Sequence, residues 1–323
     1  HHLPFAKRPR FAVDLYRLLR QHKPDVLHIH TERANLLYVL VARFAGIRAV
    51  VRTVHSSFAF EGRLRRVRRA QRGLARRLGV VHVSIGPLVQ STERTVFGNE
   101  TEMILNWYSP RFVPVSPEER RALRSQLGIP EEAFVIVTVG NCAPVKNHGA
   151  LIEALGRLAG RLDFVYVHVG REEAGRPELA LAKTHGLAEH VRFEGLVRDP
   201  APYLQAADVF VMPSLKEGMP IAALEALACG LPAVLSDVPG LTQLRAMTSA
   251  PFWASPTAEG LAPAIAHVHS LPLAERRAAG REASQSVRHH FGVERGAKEY
   301  RELYRRVAEE KGKARPRPPY PRT

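Results

Sequence analysis

The feature that most restricts the fold of this sequence is an alternation, kept along most of the chain, of short β-branched apolar runs with stretches of helical periodicity. The runs lie at residues 25–30, 48–55, 80–84, 134–140, 164–170, 191–194, 208–212 and 232–236, and helical patterns at 11–21, 34–45, 147–159 and 221–229 fall between them. Nearly continuous apolar strands separated by helices belong to parallel sheets covered on both faces. Residues 106–117, with Pro110, Pro114 and Pro117, interrupt the pattern and form the best interdomain linker. Three strands precede it and five follow. Helices at 276–291 and 293–311 end the pattern without a further strand, so the last can cap the second domain or cross back to the first. The expected domains are 1–108, 109–292, the closing helix 293–311, and a basic tail at 312–323 that reads as disordered.

A chain of 323 residues, 45% hydrophobic and 24% charged, can bury two cores and is not disordered as a whole. Cys142 and Cys229 are far apart, giving neither a disulfide framework nor zinc spacing, so a reducing, cytoplasmic setting with no metal is expected. No apolar run suits a membrane span and no signal peptide is visible. Because the chain begins at His1, an upstream piece is expected. The net charge of +16 is uneven: residues 61–80 hold eight arginines and one acid.

The most informative stretch runs from Glu217 through Gly218 and Met219 to Glu225, followed by Ala226, Ala228, Gly230 and Pro232. It follows a strand and opens a helix, where free backbone N–H groups favour an anion such as phosphate. Glu225 lies two turns along, on the face of Ile221. A buried-facing acid there needs a polar partner, and ribose hydroxyls would supply one. A capping acid followed by a solvated glutamate is the plainer reading of two glutamates alone.

The framed spacing resembles the signature of retaining GT-B glycosyltransferases of family four, and matches it at Glu217, Gly218, Glu225, Ala226, Ala228, Gly230 and Pro232. The resemblance implies two Rossmann-like parallel-sheet domains facing a cleft, with the first domain incomplete, since the family's opening strand, Gly-rich loop and helix have no counterpart here. It also implies Glu225 on the nucleotide ribose, Glu217 beside the transferred sugar, and backbone donors at Gly218 and Met219. A second match covers residues 139–147. Lys146 stands where the family has a diphosphate-binding lysine, and Asn141 where it has an arginine, with Arg171 as a candidate substitute. Leu196, Val197 and Arg198 resemble the base-binding turn. In the first domain residues 25–31 and 53–57 resemble two family strands, the second ending in a histidine that faces the cleft. His55 is then a sugar or acceptor ligand, His28 a packed core residue, and His30 open between the two.

The function implied is metal-independent transfer of a sugar from a nucleoside diphosphate sugar to a hydroxyl acceptor with retention, in polysaccharide, glycolipid or glycoconjugate synthesis, with no cofactor. Its rivals are a nucleotide-sugar epimerase of the same architecture and a binding module that has lost turnover. The arginine-rich helix at residues 61–78 carries apolar residues at 64, 67, 74 and 78. It reads either as a solvated helix docked on the sheet or as an interfacial helix drawn to anionic lipid, which would suit a lipid-linked acceptor and a peripheral place at the inner membrane face. Nucleic acid is not expected, because no aromatic residues interleave the arginines.

Overall fold

The computed structural model describes residues 10–310 except 59 and 247, so the proposed tail at 312–323 lies outside the described residues. The chain divides into two compact units, one running to Leu105 and taking in the stretch from Gly296, the other spanning Asn106–Arg295. The first unit holds α1 (Phe11–His22), β1 (Val26–Ile29), α2 (Asn35–Phe44), β2 (Ala49–Val54), α3 (Gly62–Arg77), β3 (Val81–Ser84), α4 (Pro87–Phe97) and β4 (Glu102–Met103). Its sheet runs β1-β2-β3-β4, every pair parallel.

The second unit holds α5 (Pro117–Gln126), β5 (Phe134–Val139), α6 (His148–Leu158), β6 (Phe164–Val169), α7 (Pro177–Thr184), β7 (Val191–Gly195), α8 (Ala201–Ala206), β8 (Val209–Met212) and α9 (Ile221–Ala228). β9 (Ala233–Ser236), β10 (Phe252–Ala254), α10 (Ala258–Ser270) and α11 (Leu273–Phe291) follow, and α12 (Val293–Glu310) continues into the first unit. Its sheet is also wholly parallel. The two sheets therefore have four and six strands, not three and five. The additions, β4 and β10, are two and three residues long and lie at sheet edges. Segments that short carry no readable period.

Local chemistry sets the boundaries. Ser116 and Glu119 form a reciprocal capping box ahead of α5, with Pro117 at its first position. α4 begins at Pro87 and stops at Gly98, which is left-handed at φ 59°. On β5 every residue but Val139 is buried, as a central strand covered on both faces requires. Its side chains join those of α6, β6 and α10 in one core, while α1, α2 and β2 build the core of the first unit.

That first core has charges in it. Arg72 of α3 and Arg52 of β2 are each 1% exposed. The Arg72 Nε donates to both carboxylate oxygens of Glu93, at 3.0 and 2.8 Å, and its guanidinium lies 4.0 Å from the Phe97 ring. Arg52 pairs with Glu32, and Asn99 donates to Glu93 at 2.7 Å. Charges so enclosed are tolerable only when paired and hydrogen-bonded. This network fixes the rotation of α3. Arg72 and Ala75 face inward, and Leu64, Val67 and Leu74 stand in solvent at 48, 42 and 42% exposure. Of the apolar stripe read at 64, 67, 74 and 78, only Leu78, just past the helix end, packs against the core, so the stripe along the helix is not its docking face.

Replacing Glu93 with alanine leaves Arg72 buried without its main partner and is expected to cost about 3–5 kcal/mol. Leu64→Ala, at an exposed position, should stay within about 0.5 kcal/mol. Urea unfolding of the two variants checks the contrast, and equal midpoints would contradict it.

Candidate functional site

The strand order of the second sheet is β10-β9-β8-β5-β6-β7. From β5 the chain builds outward through β6 and β7 on one side, then returns to build β8, β9 and β10 on the other. Neighbours β5 and β8 thus mark the reversal, beyond whose carboxyl ends an open parallel sheet takes its ligand. The loop leaving β5 passes through a 3-10 turn at Pro144–Lys146 into α6, and the loop leaving β8 carries residues 213–220 into α9. Lys146 and Glu217 meet there: the Lys146 Nζ donates to the Glu217 Oε1 at 2.7 Å. Neither α6 nor α9 has a side-chain cap at its start. Their first N–H groups and the positive ends of both helix dipoles remain for an anion.

The frame around Glu217 is tightly specified. Its backbone lies against Gly240, at φ 93°, where an added Cβ would come 1.9 Å from the Glu217 carbonyl oxygen. The Gln243 Nε2 donates to the carbonyls of Gly218 (2.7 Å) and Gly240 (2.6 Å), while Asn106 donates to that of Met219 at 3.4 Å. Asn147, left-handed at φ 58°, ties the β5 loop to the carbonyls of Pro213 and Pro256. Gln243 and Asn147 hold the site; Gln243 was not read from sequence, and Asn147 only as the end of the matched stretch, because both act through backbone, which leaves no pattern.

Asn141 does not point a charge at this place. Its Oδ1 accepts from the backbone N–H of Arg171 at 2.9 Å, bracketing the ends of β5 and β6. Gly170 allows that bracket, since a Cβ there would meet the Gly140 carbonyl oxygen at 2.0 Å. Arg171 itself is exposed at the end of β6. Leu196, 72% exposed, Val197 and Arg198 follow β7, the strand at the sheet edge.

Glu225 sits in the second turn of α9, between buried Leu224 and Ala226, and is half-buried, whereas Ile221 on the same face is exposed. Burial pushes its carboxyl up to about 7. Arg111 opposes that shift, and Asp199 reinforces it. Arg111 and Asp199 lie 3.6 Å apart in an ion pair, so the acid borders a charged pair that sequence reading missed. Asp208, by contrast, is structural. It lies just before β8, at the opposite end from Glu217, and binds Arg124 (2.6 Å), Arg120 (2.7 Å) and the Val135 N–H (2.8 Å).

In the first unit, His55 follows β2 and its Nε2 lies 2.9 Å from the His30 Nδ1. His28 is not simply packed in the core. Its two ring nitrogens bond to Thr53 (2.7 Å) and Tyr304 (2.6 Å). Burial, then the neighbouring His30 and His55, lower its pKa to about 3; burial also lowers those of His30 and His55. The three rings form a neutral cluster at the carboxyl ends of β1 and β2.

With this geometry in hand, the comparisons converge. Residues 119–286 match the family model described as Glycosyl transferases group 1, and residues 2–140 match Glycosyltransferase Family 4. The chain is 31% identical over 257 residues to an Escherichia coli UDP-Gal:alpha-D-GlcNAc-diphosphoundecaprenol alpha-1,3-galactosyltransferase, covering 74% of this chain and 64% of the relative. It is 38% identical over 138 residues to a Geodermatophilus obscurus D-inositol 3-phosphate glycosyltransferase, covering 39% and 31%. The chain thus spans less than two thirds of either relative. Among solved structures, a Rickettsia africae glycosyltransferase shares the fold at TM-score 0.81 and 17% identity over 95% of this chain and 84% of that one. An Anabaena protein in complex with UDP and glucose does so at 0.79 and 19%, over 92% and 81%.

Glu225 predicts a pH effect on the unliganded protein. Its folded pKa lies above the unfolded value of 4.5, so the folded state gains a proton first as pH falls. Stability attributable to this group therefore rises as pH drops from above 7 toward 4.5, and above 7 the ionised carboxylate is a cost. Glu225→Gln should raise the thermal midpoint above pH 7, with the advantage shrinking as the pH falls to 4.5. Midpoints measured across that range test it, and a pH-independent difference would contradict the assignment.

Proposed function

We propose that this chain, which belongs to the glycosyl transferases group 1 family, moves a sugar from a nucleoside diphosphate sugar to a hydroxyl acceptor with retention at the anomeric carbon. The observation that carries this reading is the Lys146–Glu217 pair at the strand reversal of the second sheet, with two uncapped helix starts beside it. A diphosphate placed there meets one mobile cation and two positive dipole ends, enough to stabilise the charge on the leaving oxygen as the bond to the anomeric carbon breaks. No step in this reading calls on a metal ion.

In the unliganded molecule the Lys146 ammonium is already occupied by Glu217. Donor binding would draw it onto phosphate and leave Glu217 to face the sugar ring, where positive charge develops in the transition state. Glu225, once ionised, would accept from the ribose hydroxyls. Gly218 and Met219 would offer backbone N–H groups, Leu196, Val197 and Arg198 the base-binding turn, and Asn141 with Arg171 the rim beside the diphosphate. His55, neutral and linked to His30, suits an acceptor or sugar hydroxyl. The Escherichia coli relative, a UDP-Gal:alpha-D-GlcNAc-diphosphoundecaprenol galactosyltransferase, supports a nucleotide sugar and a lipid-linked alcohol as the substrate classes. The Anabaena complex with UDP and glucose is consistent with the donor class.

α3 suits such an acceptor. No described helix is long and apolar enough to cross a membrane. On α3, however, exposed Leu64, Val67 and Leu74 stand among exposed Arg63, Arg65, Arg66, Arg69, Arg76 and Arg77. Apolar residues set among arginines suit the headgroup region of an anionic leaflet.

Two outcomes are expected. Calorimetry with UDP, GDP, ADP and TDP should find a bound nucleotide whose affinity falls at least about tenfold in Lys146→Ala, the loss of one charge-assisted contact. Glu217→Gln should keep or improve that affinity, since it releases Lys146, while turnover collapses. Equal losses of affinity in the two variants would sink the division of roles. Separately, the protein should sediment with anionic and not neutral vesicles, less so as salt shortens the Debye length below about 8 Å. Replacing Arg65, Arg66 and Arg69 with glutamine should abolish sedimentation and spare nucleotide binding. Persistence of vesicle binding in that variant would remove α3 from the interface.

A further inference from the structure

Three side chains that the sugar-transfer reading does not use converge beneath the β5 loop. Cys142 lies in that loop, His148 is the first residue of α6, and His168 is on β6. They are 7, 4 and 0% exposed, and one ligand atom from each lies within 4.8 Å of the others. The Cys142 Sγ is 3.6 Å from the His168 Nε2, and the two imidazoles stand edge to face at 4.8 Å between centroids.

Their hydrogen bonding is incomplete in a way that burial makes expensive. Neither ring nitrogen of His148 has a partner of ordinary geometry, although the Asn141 backbone is close by. The His168 Nε2 contacts the Gly140 carbonyl at 2.9 Å, and its Nδ1 has no partner. Glu178, second residue of α7, abuts the Cys142 thiol and keeps a buried, unpartnered Oε2. Each buried polar atom left unmatched keeps the cost of losing its water, and such groups in native proteins ask for a water or an ion. Here four orphaned atoms belong to three residues of one cluster.

We infer that Cys142, His148 and His168, with the Glu178 carboxylate as fourth ligand, form a buried site for a zinc-class divalent cation. A thiolate, two imidazoles and a carboxylate are a donor set that zinc accepts in tetrahedral array, at about 2.3 Å to sulfur and about 2.0–2.1 Å to nitrogen. Such ligands stand about 3.5 Å apart, so the Cys142, His148 and His168 atoms, already within 4.8 Å of one another, need only side-chain adjustment to close on an ion. The Gly140 carbonyl on His168 is the outer contact by which ligating histidines are oriented. The site is closed, which makes it structural. It would fasten the loop between Asn141 and Lys146 to β6 and α7. The inference stands apart from the proposed reaction and does not need it to be correct.

The test uses the purified full chain stripped with a chelator and titrated with cobalt(II), then zinc. One equivalent of cobalt should produce thiolate charge-transfer absorption together with the strong visible bands of four-coordinate cobalt, and zinc should bleach both. Charge transfer should vanish in Cys142→Ser and persist in Cys229→Ser, and zinc should raise the thermal midpoint of the parent and of Cys229→Ser but not of Cys142→Ser. Affinity in His148→Gln should fall at least about tenfold. This variant also serves should Cys142→Ser fail to fold. Absence of thiolate charge transfer in the parent overturns the site, leaving a packed histidine pair. So does charge transfer that survives loss of Cys142, or a cobalt affinity left unchanged in His148→Gln.

Discussion

A parallel sheet gathers its loops and its helix starts at the same end of its strands, and in the second unit that geometry governs nearly everything of chemical interest. β5 and β8 are adjacent although β6 and β7 lie between them in the chain, so their two following loops part to opposite faces. The gap between them cannot be filled by a direct connection. Each loop feeds a helix whose first N–H groups have no carbonyl above them, and both stretches lack capping side chains. Under the proposed donor site, anion affinity would be a property of the topology before any charged residue is added, and Lys146 and Glu217 would refine it.

Those two residues also illustrate why an unliganded site holds its charges differently from a working one. An unpaired ammonium and carboxylate in a partly enclosed loop would each lose hydration, so pairing them at 2.7 Å is the low-energy resting state. The pair is surface-accessible enough, at 29 and 12% exposure, for the mutual attraction to be modest. A diphosphate carrying more charge can outcompete one carboxylate for the lysine. Glu225 is arranged on the opposite principle. The Arg111 beside it is already paired with Asp199, and burial holds the carboxyl near neutrality, so that a ligand offering hydroxyl donors would be rewarded by restoring its charge.

What was legible in the sequence follows the range of the interaction. The strands, the helices and the framed stretch from Glu217 to Pro232 are local patterns, and they lie where the spacing put them, on the loop and helix after β8. β4 and β10 were missed because a strand of two or three residues depends wholly on its neighbour for definition. The rotation of α3 was unreadable for a different reason. Hydrophobic periodicity assumes that apolar residues face inward, and here a buried arginine, Arg72, wins the inner face because Glu93 is waiting there from α4. Asn141 looked like a missing cation and proved to be a bracket between two backbone segments. Cys142, His148 and His168 were scattered over separate elements, and two cysteines far apart carry no metal-site spacing; only the pairing of β5 with β6 brings the three together.

The same distinction orders the basic charge of the chain. A net charge of +16 suggests a polyanionic partner when read as a sum. Several arginines are withdrawn from that sum by the fold: Arg52 and Arg72 into carboxylates of the first unit, Arg124 into Asp208 and the carbonyls of Ala206 and Ala133 in the second. Those guanidiniums work as multi-pronged donors that stitch helices to strands, a use in which lysine would be a poor substitute. The arginines left facing solvent on α3 are a smaller and more directional set, gathered around Leu64, Val67 and Leu74. A nucleic-acid surface would have no use for exposed leucine and valine beside its cations. A membrane interface would, since the apolar side chains gain by leaving water where the arginines meet headgroups. Charge count therefore says little about the partner, and the company the exposed charges keep says a good deal more.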